Sequence, residues 1–254
     1  MAAHVNPLDL SAKRVLVTGA SSGIGRATAL LLSELGATLT LAGRRAEALE
    51  ATQAATRTPE AHAITAFDLA DTDAIPGWLK ERAAAAGAPF DGIVHSAGVG
   101  GAAPLRVLSR KALEAVAIPN LYATFGVLRA VASKGVVADG ASVVLMSSAA
   151  ALVASPGLSA YSATKGAVQA AVRSAALELR GRRVRVNAVA PAYVATPMME
   201  QSRAELPGFA EVEARQFLGL IPPDEVAAAV AYLLSDVAAR VTGSTLVIDG
   251  GFTC

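Results

Sequence analysis

Tyr161-Ser-Ala-Thr-Lys165 sets a phenol and an ammonium four residues apart at the start of an alanine-rich stretch. Positions i and i+4 share one helix face, so both groups can approach the same ligand. A free tyrosine titrates near about 10, too high for a proton shuttle at neutral pH. A nearby ammonium together with a second cation favours the phenolate. Lowering the pKa by about 3 units requires roughly 4 kcal/mol, which two cations in a partly dry cleft can supply. With 4 tyrosines and 22 basic residues, such a pair also arises by chance on a surface helix. The partner is Ser148, which with Ser147 closes an apolar run, Ser142–Met146, just upstream. Ligands bind at the C-terminal ends of strands in open α/β sheets. A hydroxyl there can hold a substrate oxygen while the tyrosine moves its proton.

A second group of residues is suited to phosphates. The run Val15–Thr18 leads into Gly19-Ala-Ser21-Ser22-Gly23-Ile24-Gly25 and then a helical stretch. Glycines permit a tight turn and close backbone approach to a pyrophosphate, and the helix N-terminus offers free N–H groups. The spacing G-x-x-x-G-x-G differs from the commoner G-x-G-x-x-G fingerprint. The next apolar run ends in Arg44-Arg45, where a NAD site would carry a carboxylate for the ribose hydroxyls. Arginine suits a ribose phosphate instead, which favours NADP(H), although both could be solvated residues capping a strand.

These groups need a scaffold. The chain has 254 residues, 53% hydrophobic and 17% charged, enough for one α/β domain with a large core. Net charge is +1, so there is no electrostatic case for nucleic acid or a membrane surface. The lone Cys254 cannot form an internal disulfide, and the first 14 residues lack the apolar run of a signal peptide, so a cytoplasmic protein is expected. Expected strands are 15–18, 37–42, 63–67, 92–95, 142–146, 184–190 and 245–248. Expected helices are 25–35, 46–56, 75–86, 105–134 (interrupted), 160–179 and 223–235. Several strands are unbroken apolar runs, as expected when both faces are covered, and the alternation implies a parallel sheet.

Thr18-Gly-x-x-x-Gly-Ile-Gly25, Ser148 and Tyr161-x-x-x-Lys165, in this order and spacing, resemble the compact short-chain dehydrogenases/reductases across nearly the whole chain. The resemblance implies a Rossmann-like, doubly wound parallel seven-stranded sheet in one domain, ordered 3-2-1-4-5-6-7. It assigns proton transfer to Tyr161, and ribose binding and pKa control to Lys165. Ser148 would hold the reacting oxygen, and Asn120 a relay water. It adds cofactor contacts at Asp68-Leu69, at Ser96-Ala97-Gly98, and at Pro191, Val194 and Thr196. A small carbonyl or alcohol substrate and a homotetramer or homodimer are implied, with no nucleic acid, membrane or metal. Reduction of a 3-oxoacyl thioester is the leading specific expectation.

Three departures stand out. His95-Ser96 replaces two asparagines, Ala192 replaces a glycine, and Pro119 precedes Asn120. Residues 198–222 match the family's substrate-covering segment and hold Met198, Met199, Leu206, Phe209, Phe217, Leu218 and Leu220. They either cover an apolar substrate or pack as an amphipathic helix. Neither this stretch nor Ala149–Val153 has the density of basic residues that would demand an acidic substrate. His4 and His62 are expected at the surface, His95 in a turn, and Trp78 as a helix anchor. Rival readings are a nicotinamide-binding sensor without turnover, which the tetrad argues against, and a sugar-nucleotide epimerase or dehydratase, which would need a longer C-terminal portion.

Overall fold

Unbroken apolar runs become strands sandwiched between two helical layers. The strands are β1 (Arg14–Thr18), β2 (Thr38–Gly43), β3 (Ala63–Ala66), β4 (Phe90–His95), β5 (Val137–Met146), β6 (Arg185–Pro191) and β7 (Thr245–Ile248). They form one sheet in the order β3-β2-β1-β4-β5-β6-β7, every pairing parallel. This is the Rossmann-like architecture and strand order expected from the resemblance. The helices are α1 (Gly23–Glu34), α2 (Ala46–Ala54), α3 (Ile75–Ala85), α4 (Arg110–Ala117), α5 (Ala123–Ala132), α6 (Ser159–Glu178), α7 (Pro197–Glu205), α8 (Phe209–Ala214) and α9 (Pro223–Leu234). The computed structural model describes residues 6–205 and 209–254. His4, Leu206 and the side chain of Phe209 lie outside the described residues.

The period-2 geometry of each strand divides the core in two. Leu16, Ile93, Val143 and Leu145 point into the layer of α3, α5 and α6, with Ile75, Leu79, Val127 and Val172. Their neighbours Val15, Val17, Val94 and Val144 point into the layer of α1, α2 and α9, with Leu32, Leu49 and Val230. Both strand faces are therefore apolar, which is why these segments read as continuous runs rather than alternations. Trp78 anchors α3 as expected, stacked on Phe67 with ring centroids 4.3 Å apart.

Three expectations change. β5 starts at Val137 rather than Ser142; it pairs with Phe90 and then shifts register between Phe90 and Gly92. Exposed Asp139 and Gly140, the latter at φ +82°, interrupt the apolar pattern there. The stretch 105–134 resolves into a 3-10 turn at Leu105–Val107, then α4, a π-turn at Ile118–Tyr122 and α5. Pro119 has no N–H for the carbonyl four residues back, and the wider turn absorbs that loss. The continuous run Arg110–Ala132 is long and apolar enough to cross a bilayer, but over half of its most apolar part is buried in this protein. His62 is buried rather than at the surface. Its Nδ1 accepts from Leu39 N–H at 3.2 Å, so its Nε2–H donates to Ser33 Oγ at 2.8 Å. Burial holds the imidazole below its ordinary pKa, in the neutral form this bonding needs.

Leu145 is fully buried at the centre of the sheet. Leu145→Ala should cost about 2–5 kcal/mol in a urea titration, with Tm falling in parallel. A loss under about 1 kcal/mol would contradict the packing described.

Candidate active site

β5 ends at Met146, and its last carbonyl anchors a lysine from the neighbouring helix. Lys165, on the first turns of α6, donates from Nζ to Met146 O at 2.9 Å. Ser147 Oγ donates to the Lys165 carbonyl at 2.9 Å and accepts from Gln169 Nε2 at 3.1 Å, tying α6 to the strand end. Ser148 comes next in extended conformation, its Oγ accepting from Ala150 N–H and directed to the Pro191 carbonyl at 3.4 Å. The Tyr161 phenol lies close enough to the Ser148 hydroxyl for that group to favour its ionised form. The Tyr161 ring centroid lies 5.7 Å from Lys165 Nζ. The structure thus brings together Ser148, Tyr161 and Lys165, separated in sequence by a 3-10 turn and a loop.

Asn120 is buried in the π-turn. Its side chain accepts from Val99 N–H at 2.8 Å and donates to Val99 O at 2.9 Å, so the amide clasps the loop after β4. A Cβ at Gly98 would lie 2.8 Å from Asn120 Oδ1 and 3.5 Å from Lys165 Nζ, so the three meet at one point. The side-chain amide is engaged by the loop, and the main-chain carbonyl accepts from Thr124 Oγ1 at 2.7 Å. Pro119 is accommodated by the π-turn.

Electrostatics here differ from the first expectation. Burial lowers Lys165 from 10.5 to about 8. Burial pushes the half-buried Tyr161 phenol above its usual value; the Ser148 hydroxyl opposes this and the Tyr193 phenol reinforces it. Lys165 therefore loses its charge before Tyr161 begins to ionise, and alone it does not bring the phenol toward neutral pH. His95 is held neutral, lowered to about 3 by burial and by the Lys165 charge. Its Nδ1 pairs with Thr18 Oγ1 at 2.9 Å. Thr18 Oγ1 also accepts from Ala97 N–H at 3.2 Å, tying the end of β4 to the end of β1. Thr18 and Met146 escape sequence reasoning: one reads as an ordinary strand residue, and the other acts through its backbone.

Beside this cluster, the turn of residues 19–25 has the shape of a phosphate cradle. Gly19 adopts φ +69°, and a Cβ there would stand 2.8 Å from Ala97 N. A Cβ at Gly25 would sit 2.2 Å from the Gly19 carbonyl. α1 begins after Ser22 with no side-chain cap and no acidic residue in its first turn, leaving its N–H groups available to an anion. The chain at Thr196 returns to this turn, its methyl 3.2 Å from a Cβ built on Gly23. Val194 is buried and bridged to Ile221, and Ala192 keeps a negative φ while donating to Ile248 O, so its methyl group is tolerated. Arg44 and Arg45 are exposed at the end of β2, and among the described residues neither meets a carboxylate. Gly43 before them lies next to Ser21. Asp68 is exposed, capping Ala70 N–H at 3.0 Å, and Leu69 is buried under it. These residues fit a dinucleotide: the pyrophosphate at residues 19–25, the adenosine end toward Arg44 and Asp68, the nicotinamide end toward Lys165. No group of His, Cys, Asp or Glu among the described residues could hold a metal.

Between about pH 8 and pH 10.5 an unfolded lysine keeps its proton while folded Lys165 has lost it. The unfolded state then binds more protons, so raising the pH favours the fold. Relative to Lys165→Met, the wild type should gain stability across that window. A thermal-unfolding difference that does not change with pH would contradict the buried ammonium.

A family model described as enoyl-(acyl carrier protein) reductase matches residues 19–253. The chain is 39% identical over 254 residues to a cis-4-hydroxycyclohexanecarboxylate dehydrogenase of Sinomonas cyclohexanicum, covering 95% of this chain and 97% of the relative. It is 34% identical over 251 residues to a 3-oxoacyl-(acyl-carrier-protein) reductase of Thermotoga maritima, covering 96% and 99%. A dehydrogenase/reductase from Sinorhizobium meliloti superposes with a TM-score of 0.84 at 30% identity, covering 98% of each chain. The protein belongs to the short-chain dehydrogenase/reductase family, oxidoreductases that use nicotinamide cofactors on alcohols and ketones.

Proposed function

We propose that this protein interconverts a ketone and a secondary alcohol with NADP(H), with Asn120, Ser148, Tyr161 and Lys165 as the working residues. The observation that carries the reading is the buried Lys165 ammonium, bonded to the last carbonyl of β5 at 2.9 Å with the Tyr161 ring 5.7 Å away, next to a glycine turn shaped for phosphates. A bound nicotinamide supplies or takes up the hydride. In reduction the Tyr161 phenol gives its proton to the carbonyl oxygen, which Ser148 holds; in oxidation the phenolate takes it back. Lys165 binds the ribose hydroxyls and, with the oxidised ring's positive charge, offsets the burial that raises Tyr161. Asn120 and Lys165 support a water-borne proton path to solvent. Residues 198–222 cover the substrate within the single domain spanning residues 1–254.

The preference for NADP(H) rests on Arg44 and Arg45. Both are exposed at the strand end where a carboxylate would serve NAD, and a bidentate guanidinium suits a ribose phosphate. Within the ketone class, a 3-oxoacyl thioester is supported by the 34% identical reductase, and a ring alcohol bearing a carboxylate by the 39% identical dehydrogenase. The first assay is NADPH and NADH oxidation against ketones, keto acids and 3-oxoacyl thioesters. Turnover with NADPH supports the proposal; tight NADPH binding with no turnover on any member favours a sensor.

Two variants refine it. Tyr161→Phe should bind NADPH normally and lose about 10²-fold or more in kcat; undiminished turnover sinks the mechanism. Arg44→Asp should weaken NADPH by about 10-fold or more relative to NADH, and an unchanged ratio of the two dissociation constants removes the arginine argument.

A further inference from the structure

Gln216 holds the covering segment against the end of β6. It is buried, its Oε1 accepting from Tyr193 N–H at 3.0 Å and its Nε2 donating to Tyr193 O at 3.0 Å and to Gly219 O at 2.6 Å. Ile221 N–H adds a bond to the same Tyr193 carbonyl at 3.1 Å. This clasp holds the neighbouring Arg215 in register with the end of β6. Arg215 lies over the Phe252 ring, its guanidinium carbon 4.7 Å from the centroid. Phe252 meets the Tyr193 ring edge-on at 5.2 Å. Tyr193 stands two residues after Pro191, whose carbonyl faces Ser148 Oγ. Tyr193 thus links the Arg215–Phe252 pair to the end of β6, where the Pro191 carbonyl faces Ser148. Burial raises the Tyr193 phenol and the Arg215 charge opposes it, while Tyr193 adds a smaller upward push on Tyr161.

Two acidic groups of the surrounding chain, Glu213 and Asp249, are engaged elsewhere. Glu213 takes Arg203 in two bonds of 2.8 and 2.7 Å. Asp249 accepts from Gly251 N–H at 3.1 Å, Thr253 N–H at 2.9 Å and Thr253 Oγ1 at 2.5 Å. Among the described residues no carboxylate pairs with Arg215. Stacking on an aromatic face leaves the in-plane N–H donors of a guanidinium directed outward, the geometry that receives a carboxylate in two parallel bonds. Exposed Met198, Phe217 and Leu218 lie in the same segment, so apolar surface accompanies the cation.

We propose that Arg215, stacked on Phe252 and backed by Tyr193, binds an anionic group of the substrate, and that the substrate is a ketone or secondary alcohol with a carboxylate remote from the reacting carbon. The reading rests on the oxidoreductase proposal above and narrows its substrate class. No high density of basic residues is needed: one guanidinium, held in place and meeting no carboxylate among the described residues, is sufficient.

The test measures kcat/KM with NADPH for keto acids of increasing carbonyl-to-carboxylate spacing, each beside its methyl ester. Assays use the full chain as wild type, Arg215→Gln and Arg215→Lys. At the best spacing the wild type should favour acid over ester by roughly 10- to 100-fold, mostly through KM. Arg215→Gln should collapse that ratio toward one, and Arg215→Lys should retain part of it. Equal wild-type values for acid and ester at every spacing overturn the proposal, as does a ratio unchanged in Arg215→Gln. If no member turns over, calorimetric binding of the same keto acids to the NADPH-saturated protein decides. Binding lost in Arg215→Gln upholds the anion site while the oxidoreductase reading fails; no binding, or binding indifferent to residue 215, overturns it.

Discussion

One buried ammonium sets the arrangement of the site. Lys165 is almost wholly out of water, donating to the last carbonyl of β5, and its residence there lowers its pKa to about 8. Holding a cation in such a place costs the fold roughly 3 kcal/mol at neutral pH, a loss that a purely structural residue would not impose. The cost is tolerated because the rest of the sheet is ordinary and well packed, with apolar layers on both faces. Around the lysine the architecture is redundant: Ser147, Gln169 and the Asn120 clasp each fix α6 or the loop after β4 from a different side. The strained turn at Gly19 and the π-turn at Pro119 belong to the same pattern, in which deviations from regular structure gather at the strand ends.

Much of this is legible in the sequence because the signals are local. The strand–helix alternation, the glycine turn and the Tyr161–Lys165 spacing each lie within a few residues, and the covered faces show directly as unbroken apolar runs. His62 is not legible: nothing around it distinguishes a solvated histidine from one whose two ring nitrogens serve Ser33 and Leu39, residues more than twenty positions away. Asn120 is legible as a residue but not in its bonding, since its side chain is engaged by Val99. Arg215 is silent in the sequence because Glu211 and Glu213 stand beside it; that Glu213 is taken by Arg203, and that among the described residues no carboxylate pairs with Arg215, shows only in the fold.

The ionisation of Tyr161 corrects the simplest reading of the pair. From spacing, the lysine is expected to lower the phenol. In the folded protein, burial acts on both groups and drives them apart, the ammonium down and the phenol up. At neutral pH the lysine is charged, yet burial still holds the phenol up; under the proposal above, the positive charge of an oxidised nicotinamide would add to that of the lysine.

The most direct measurement is an ultraviolet phenolate titration of the protein with and without NADP+, using Tyr161→Phe as the blank. The Tyr161 signal in the protein alone should lie above the ordinary tyrosine value, and it should move toward neutral pH when NADP+ is added. A phenol that titrates near neutrality without NADP+, or one whose titration is indifferent to it, would contradict the claim that burial and a second cation together set the chemistry of this site.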